Sequence, residues 1–478
     1  MDNLTLLTDL YQLTMLNGYF ENKVYEDTVV FDMFFRENAC NGGYTIICGI
    51  EQLVEYVDNL KFTDSDIDYL RSLDKFSDGF LDFLRDFKFT GDIYAVEEGT
   101  VMFPGEPLIT VKAPLYQAQF IETALLNIIN FQSLIATKAS RICRASDGDS
   151  VAEFGLRRAQ GAYAGTYGAR AAVIGGCDST SNVLAGKMFD LPVSGTQAHS
   201  WIQKFDTELE SFKAYAKIYP DSCLLLVDTY NVLESGVPNA IKVFKELRKN
   251  GHEPLGIRID SGDLVELSKA AEMMLEEAGF KNLSIVASDS LDEYAISSLK
   301  EKGAKINSWG VGTRLITSAD SPSLGGVYKL AATTQNGELI PKIKVSENPD
   351  KINNPGYKKV VRAYDEDGIA VEDFILLHDE IVDKLAFSIL RNSAENCDLS
   401  TNKVSKNYTF RDLLKPLYIE GVSKYKKKTI IELKNNVKWE LSSILDKYKR
   451  LYNPSEYNVR LSESLKELKD SLVGSKSK

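Results

Sequence analysis

The stretch EPLGIRIDSGDLVELSKAAEMMLEEAGF, residues 253–280, runs from a short apolar strand through a polar turn into an amphipathic helix. The same order recurs in three more stretches before and after it: SVAEFG (150–155), SCLLLVDTY (222–230) and LSIVASDSL (283–291). Two further apolar runs, LPVSGT (191–196) and KINSWGVGT (305–313), fit the series. Helical patterns follow near 158–174, 200–217 and after each later strand. This alternation predicts repeated βα units.

The spacing of the strand-end carboxylates supports that interpretation. Asp228, Asp260 and Asp289 lie 32 and 29 residues apart. A period of this size is typical of βα units in a parallel sheet or barrel. We therefore expect the α/β class, with the βα units arranged in a parallel sheet or a barrel.

The flanking segments have different patterns. TVVFDMFFR (28–36) is strand-like, IEQLVEYVDNL (50–60) is helical, and a long helical pattern runs from Leu115 to Ala145. Asn336-Gly337 and Asp367-Gly368 predict two hairpins in a small β module, and leucines at helical spacing end the chain. The expected domains are 1–114, 115–325 with the long entry helix, and 326–478 packing back on the first. The run KYKKK (424–428) is interpreted as a solvated face.

Composition limits the function classes. The chain has 478 residues and a net charge of −12, which argues against a nucleic-acid partner but not against a small anionic substrate. The N-terminus has no basic region of a signal peptide, and no apolar run has membrane-spanning length. The six cysteines, one of them Cys397, form no CxxC pair or zinc pattern and are expected to be reduced thiols. A cytoplasmic protein without a membrane partner is expected.

Polar side chains collect where the predicted strands end, which is where parallel α/β folds bind ligands. They are Glu153, Arg157, Arg158, Thr196, His199, Asp228, Arg258, Asp260, Ser261, Asp263, Ser288, Asp289, Gly310, Gly312 and Thr313. This concentration predicts a binding cleft that combines carboxylates, arginines and a glycine turn.

Each local pattern also has a structural interpretation. WGVGTRL (309–315) suits a phosphate held by backbone N–H groups, or only a tight loop. RIDSGDL (258–264) suits a sugar diol or magnesium diphosphate, or a helix cap by Asp260 or Ser261. The arginines of EFGLRRAQG (153–161) bind an anion or form surface pairs. His199, in LPVSGTQAHSW (191–201), is a catalytic group or a core histidine.

Seven segments in order resemble the signatures of the nicotinate phosphoribosyltransferase family. They are LTDLYQLTM (7–15), EFGLRRAQG, STSNVLAG (179–186), GTQAHSW, GIRIDSGDL, GVGTRL and SLGGVYKL (323–330). The resemblance covers roughly residues 5–350. It implies a type II phosphoribosyltransferase fold of the α/β class: an irregular (β/α) barrel with an N-terminal α+β domain and C-terminal β and helical elements. It also implies a homodimer with shared active sites. The implied reaction joins nicotinate to 5-phosphoribosyl 1-diphosphate, giving nicotinate mononucleotide and diphosphate for NAD salvage.

The resemblance also implies residue roles. His199 matches a histidine phosphorylated by ATP, whose hydrolysis is coupled to the reaction. Nicotinate contacts are implied for Tyr11, supplied across the dimer, and for Thr196 and Arg258. The 5′-phosphate site is implied for Gly310, Gly312 and Thr313, and the same cleft is implied to be lined by Arg157, Asp260, Ser288 and Asp289.

The implied chemistry needs Mg²⁺ or Mn²⁺ on the diphosphate, although no ligand for that metal is identified, and needs ATP as a co-substrate. Asp260 is expected to stabilise positive charge at the anomeric carbon. His252 and His378 are interpreted as structural.

Three alternatives stay open at this point. A nicotinamide phosphoribosyltransferase would share the fold and the histidine but prefer the amide. Quinolinate phosphoribosyltransferases are much shorter and use no such histidine. A non-catalytic metabolite-binding protein on the same fold would lack turnover.

Overall fold

The computed structural model describes residues 3–348, 351–382 and 407–476. Cys397 lies outside these residues. The chain forms two compact units, the first from Met1–Leu134 and Ser323–Lys478 and the second from Ile135–Pro322. The three-domain division stays a prediction.

The α-helices, numbered in chain order, are α1 Leu10–Glu21, α2 Ile50–Asp58, α3 Asp64–Ser72, α4 Asp78–Arg85, α5 Leu115–Phe120, α6 Glu122–Ala145, α7 Ala162–Ile174, α8 Val183–Phe189, α9 His199–Gln203, α10 Glu208–Ile218, α11 Val237–Lys249, α12 Leu264–Glu277, α13 Glu293–Glu301, α14 Thr313–Ile316, α15 Ile430–Ser442 and α16 Glu463–Lys476. Short 3-10 turns cover Ala39–Asn41, Leu156–Arg158, Pro220–Ser222 and Asp446–Tyr448, and a π-turn covers Val232–Gly236.

The strands are β1 Thr28–Phe35, β2 Thr45–Ile46, β3 Asp92–Val96, β4 Val101–Met102, β5 Ile109–Pro114, β6 Ser150–Glu153, β7 Ser179–Thr180, β8 Leu224–Leu226, β9 Gly256–Ile259, β10 Ser284–Ala287, β11 Ser308–Val311, β12 Gly326–Gln335, β13 Glu338–Pro341, β14 Lys358–Tyr364, β15 Ala370–Leu377, β16 Thr409–Asp412, β17 Leu414–Ile419, β18 Val422–Ser423 and β19 Val459–Leu461.

The second unit is built on a six-stranded parallel sheet in the order β7-β6-β11-β10-β9-β8. A single parallel bridge between Thr180 and Val193 extends it beyond β7. Apart from β7 and β8, which lie at opposite edges, strands that follow one another in the chain are neighbours, and the last, β11, pairs with the first, β6. This is the pairing order of a barrel that is open at one place. Between the Val193 segment and β8, the described residues form no ladder. The α/β class expected from the sequence is confirmed.

Local sequence explains the βα units of this sheet. Helix α12 begins after Asp263, whose carboxylate accepts hydrogen bonds from the N–H groups of Val265 and Glu266. The strands are short apolar runs buried on both faces, as expected for a parallel sheet. Gly256 opens β9 with φ +152°, and a Cβ there would clash with the backbone of Ser284 on β10.

Two expectations for this unit need correction. LPVSGT forms only the bridge at Val193, because the preceding Pro192 has no N–H to donate to a ladder. The helical stretch near 200–217 is two helices, α9 and α10, separated by a turn that ends in the N-cap Thr207.

The first unit contains a seven-stranded antiparallel sheet, β13-β12-β1-β5-β3-β17-β18, and a four-stranded sheet, β16-β14-β15-β19. The hairpins at Asn336-Gly337 and Asp367-Gly368 both form, but in different sheets, so they are not one β module. Strand β12 pairs with β1 along its length. The long helical pattern from Leu115 is two helices, α5 and α6. Among the described helices, none is both long and apolar enough to cross a membrane.

Candidate active site

The guanidinium of Arg258, in β9, is the centre of a polar cluster at the carboxyl ends of the parallel strands. Its Nε donates to the Ser288 hydroxyl at 2.6 Å, one terminal nitrogen to the Thr196 hydroxyl at 3.2 Å, and the other to an Asp260 carboxylate oxygen at 2.9 Å. Ser288 also donates to that oxygen. Residues after β9, after β10 and after the Val193 bridge thus fix one arginine, whose side chain is only 16% exposed.

An aromatic floor supports this arginine. The Phe154 ring lies under the guanidinium, 5.8 Å from ring centre to Cζ. Gly310 of β11 makes room for that ring, since a Cβ there would lie 2.6 Å from the ring and 3.2 Å from the Ser288 Cβ. A cation–π contact of this kind stabilises the charge and orients its plane.

His199, the first residue of α9, lies beside this cluster. Its Nδ1 is 3.1 Å from the Thr229 hydroxyl, and its Nε2 is 3.9 Å from the second carboxylate oxygen of Asp260. The side chain is 42% exposed, so it is not a core histidine. Asp260 therefore connects the histidine to the arginine.

A second carboxylate, Asp228, organises the turn after β9. One of its oxygens accepts from the Asp260 N–H at 3.0 Å and from the Ser261 hydroxyl at 2.6 Å. The other oxygen is buried and has no hydrogen-bond partner among the described residues. An unsatisfied buried carboxylate oxygen costs free energy unless a ligand or a cation pairs with it.

The helix cap that the sequence suggested for Asp260 or Ser261 belongs instead to Asp263. Asp263 is exposed, and one of its carboxylate oxygens is used by the cap. Asp260 is consequently left to face Arg258 and His199, while Asp263 has a structural contact of its own.

The remaining strand-end residues are not bonded to this cluster in the contacts described. Gly312 precedes α14, Thr313 is its exposed first residue, and Asp289 is exposed beyond β10. Arg157 and Arg158 are exposed on the 3-10 turn after β6. All belong to the second unit, at the same ends of its strands.

Two other predicted residues lie elsewhere. Glu153 is fully buried and accepts from the Thr180 hydroxyl at 2.6 Å and from the Gly155 N–H, so it joins β6 to β7 rather than meeting a ligand. Burial raises the pKa of its carboxyl, and these hydrogen bonds partly offset that shift. Tyr11 lies on α1 of the first unit, 48% exposed. Burial and the nearby Glu122 raise the pKa of its phenol.

The sequence interpretation missed Thr229 and Phe154. Thr229 follows Asp228, and Phe154 follows Glu153, and both of these neighbours were selected for their position at a strand end. A selection extended by one position would have included Thr229 and Phe154. They were not selected, because neither a threonine nor a phenylalanine suggests chemistry until its neighbour in space is known.

Family models match the chain in three blocks. The nicotinate phosphoribosyltransferase N-terminal domain matches residues 6–130, the family model matches 150–377, and the C-terminal domain matches 357–469. A nicotinate phosphoribosyltransferase of Bacillus subtilis is 45% identical over 464 residues, covering 97% of this chain and 94% of its own length.

The chain belongs to the nicotinate phosphoribosyltransferase family. It is therefore a phosphoribosyltransferase, and the sequence expectation is confirmed. The Caenorhabditis elegans nicotinate phosphoribosyltransferase is 37% identical, with 96% of this chain and 92% of that protein covered.

Two solved structures are similar to the chain over most of its length. The crystal structure of human nicotinic acid phosphoribosyltransferase superposes with a TM-score of 0.80 at 28% identity, covering 97% of this chain and 99% of that one. A nicotinate-nucleotide pyrophosphorylase from Pyrococcus furiosus shares the fold, with a TM-score of 0.70 at 21% identity over 92% and 96% of the two chains.

Proposed function

We propose that this chain joins nicotinate to 5-phosphoribosyl 1-diphosphate and couples the reaction to ATP hydrolysis through phosphorylated His199. The observation that carries the proposal is the contact chain from His199 through Asp260 to Arg258. An imidazole, a carboxylate and a fixed cation side by side, in a family of phosphoribosyltransferases, support the proposal. NAD salvage is the pathway that uses the product.

Arg258 is the residue proposed to select the acid. A guanidinium has five N–H donors, and Ser288, Thr196 and Asp260 occupy three of them. The two that are left, one on each terminal nitrogen, suit a bidentate carboxylate. Neutral nicotinamide has no charge to satisfy them, so a cleft of this kind discriminates against it.

The transfer itself needs no strong base. The pyridine nitrogen of nicotinate uses its lone pair to form the bond to the anomeric carbon, and the carbon–oxygen bond to the diphosphate breaks with its electron pair on the leaving oxygen. Positive charge develops at the anomeric carbon in the transition state, and the Asp260 carboxylate stabilises it. Most of the rate enhancement comes from holding the two reactants in line.

The phosphates of the sugar substrate are assigned to the strand-end loops. The N–H groups after Gly310 and Gly312 and the Thr313 hydroxyl would hold the 5′-phosphate. The exposed Arg157 and Asp289 and the buried Ser288 would line the rest of the diphosphate path. These assignments rest on their common position at the strand ends and on the family pattern.

A divalent metal fits the cleft only if the substrate brings most of its ligands. Among the described residues, no group of three or more His, Cys, Asp or Glu side chains is arranged to hold a metal ion. Magnesium, or manganese, keeps waters and diphosphate oxygens and needs one or two carboxylates. The unpartnered oxygen of Asp228 would supply one. A bound metal would neutralise charge on the departing diphosphate.

His199 is proposed to take the γ-phosphoryl group of ATP. With the Nδ1 proton donated to Thr229, the Nε2 lone pair is free to attack phosphorus, and ADP leaves with the electrons of the broken P–O bond. Water later cleaves the phosphohistidine. The added negative charge changes the field around Arg258 and Asp260, which is how phosphorylation would alter substrate affinity.

Tyr11 is proposed to stack on the pyridine ring from the other subunit of a homodimer. Its exposed position on α1 supports a role at a surface that a second chain can reach. The cytoplasm is the proposed location, since Cys40, Cys48, Cys143, Cys177 and Cys223 are thiols rather than disulfides.

One chromatographic assay tests the proposal. The purified chain with magnesium and phosphoribosyl diphosphate receives nicotinate or nicotinamide, with and without ATP. We expect nicotinate mononucleotide, formed faster with ATP, and a base-stable, acid-labile phosphoryl label that His199→Ala lacks. Normal ATP hydrolysis by His199→Ala during turnover would overturn the phosphohistidine, and product from nicotinamide alone would overturn the acid selectivity.

A further inference from the structure

A surface cavity of about 240 Å³ lies in the first unit, far along the chain from the strand-end cluster. Its walls come from β3, from β17, which pairs with β3, and from the first turn of α15. The segment between β18 and α15 forms its rim. That segment is the KYKKK run, which the sequence suggested to be a plain solvated face.

The rim is strongly basic. Lys415, Lys424, Lys426 and Lys428 all line the cavity. Lys428 is paired, with its Nζ 2.7 Å from a Glu97 carboxylate oxygen. Within the described part of the chain, no carboxylate lies within ion-pair distance of the other three, although the chain as a whole has a net charge of −12. Three clustered like charges repel one another until an anion joins them.

The one buried carboxylate in the cavity wall does not cancel this charge. An oxygen of the Glu98 carboxylate accepts the Gly49 N–H at 2.6 Å and the Cys48 thiol at 3.2 Å, so it is engaged inside the fold. Glu98 is 4% exposed. The Glu98 carboxylate therefore accepts hydrogen bonds inside the fold and does not neutralise the lysines of the rim.

The inner walls are apolar. Val96 and Leu417 are buried side chains from the paired strands, and Leu433 is buried on α15. The partly buried ring of Tyr425 lies among them. A concave surface with a cationic rim and apolar walls is the usual form of a site for an anion with an apolar part.

We propose that this cavity binds a small phosphate-bearing molecule of the mononucleotide class. The phosphate would lie between Lys415, Lys424 and Lys426, and the base or another flat apolar group would lie against Tyr425 and Leu417. The volume suits one small ligand rather than a macromolecule. A peptide or nucleic-acid strand would need a groove that continues beyond these walls.

Isothermal titration of the full-length chain with adenosine monophosphate tests the site. The variant Lys415→Gln/Lys424→Gln/Lys426→Gln is compared with a matched control, Lys245→Gln/Lys249→Gln/Lys302→Gln, which removes three exposed charges from the second unit. We expect the cavity variant to bind about tenfold or more weakly, the effect of losing at least one charged hydrogen bond, and the control to bind like wild type. His199→Ala should keep the binding, because the cavity does not include the strand-end cluster.

Two further titrations separate the parts of the ligand. Adenosine should bind at least about tenfold more weakly than the monophosphate, because it has no charge for the lysines. Inorganic phosphate should also bind more weakly, because it leaves the apolar walls uncovered. Equal binding by the cavity variant and the control would overturn the site, and equal binding of inorganic phosphate would overturn the nucleotide class. Circular dichroism and the single variant Lys426→Gln guard against a misfolded triple variant.

Discussion

The Nδ1 atom of His199 lies 3.1 Å from the hydroxyl oxygen of Thr229, so the residue after the strand-end Asp228 orients the plane of the imidazole. Thr229→Val removes this contact with little change of shape. We expect histidine phosphorylation by ATP to slow about fivefold to tenfold, because one hydrogen bond of about 1 kcal/mol orients the ring. Thr229→Ser should phosphorylate like wild type, and a Val variant that did so too would leave Thr229 without this role. Rapid-quench measurement of the acid-labile label checks both.

Arg258 makes three separate hydrogen bonds that a lysine cannot reproduce. Arg258→Lys should reduce kcat/KM for nicotinate by about a hundredfold or more, because an ammonium cannot form the bidentate contact and leaves the Ser288 and Asp260 acceptors unmatched. Arg248, which forms an exposed pair with Glu253, is the matched control. Arg248→Lys should change kcat/KM by less than about twofold. Steady-state kinetics at fixed phosphoribosyl diphosphate gives both values.

Gly310 leaves room for Phe154 under the arginine. Gly310→Ala should lower the free energy of unfolding by about 1–3 kcal/mol, since the new methyl group overpacks against the Phe154 ring and Ser288. Activity should fall as well, because both neighbours contact Arg258. Gly18→Ala is the control, since its Cβ would meet open space in the middle of α1 and alanine favours a helix. Urea denaturation and the nicotinate assay on both variants separate the two effects.

The sequence was sufficient for the βα order because each strand is a short apolar run bounded by polar turns. It also located Thr196, Arg258, Asp260 and Ser288, which the structure brings into one cluster. Strand ends in a parallel fold meet at one edge, so position along the chain predicts proximity there.

The choice of helix cap and the long-range strand pairing were not predictable from the sequence. They depend on side-chain direction and on partners distant in the chain. Asp260, Ser261 and Asp263 are equally good caps by type, and only the backbone path selects Asp263. The hairpin at Asn336-Gly337 is visible locally, but its pairing with β1 joins segments about 300 residues apart. No local pattern encodes that choice.

Glu106, in the first unit, is fully buried beside the Arg362–Asp373 ion pair. Burial and the Asp373 charge raise the pKa of its carboxyl well above the ordinary range. A raised pKa in the folded state means that the folded chain binds more protons, so this residue stabilises less as pH rises above the unfolded value of about 4.3. Glu106→Gln mimics the neutral form.

We therefore expect Glu106→Gln to have nearly the same free energy of unfolding as wild type near pH 4. As pH rises towards 8, its free energy of unfolding should become increasingly higher than that of wild type. The slope of the difference should approach about 1.4 kcal/mol per pH unit between the two pKa values. Arg362→Met is the contrasting variant, because it leaves Asp373 buried without its cation, while Glu440 keeps only its pair with Arg411, and it should cost about 3–5 kcal/mol. Denaturant titrations at several pH values measure both. A difference between Glu106→Gln and wild type that does not vary with pH would mean that Glu106 is ionised in the fold.

A mixed dimer distinguishes a Tyr11 that contributes to the cleft of the other subunit, as proposed, from a Tyr11 that acts within its own chain. Tyr11→Ala and His199→Ala chains, carrying different affinity tags, are co-expressed, and dimers that hold one of each are purified. If Tyr11 serves the partner's cleft, one of the two clefts in the mixed dimer has both intact residues, so ATP-stimulated activity per dimer should be about half that of wild type. If Tyr11 serves its own chain, each cleft lacks one residue, and the mixed dimer should be no more active than the single variants. Dimers of two differently tagged His199→Ala chains contain no intact cleft. The activity measured for them is the background, and it is subtracted before the two outcomes are compared.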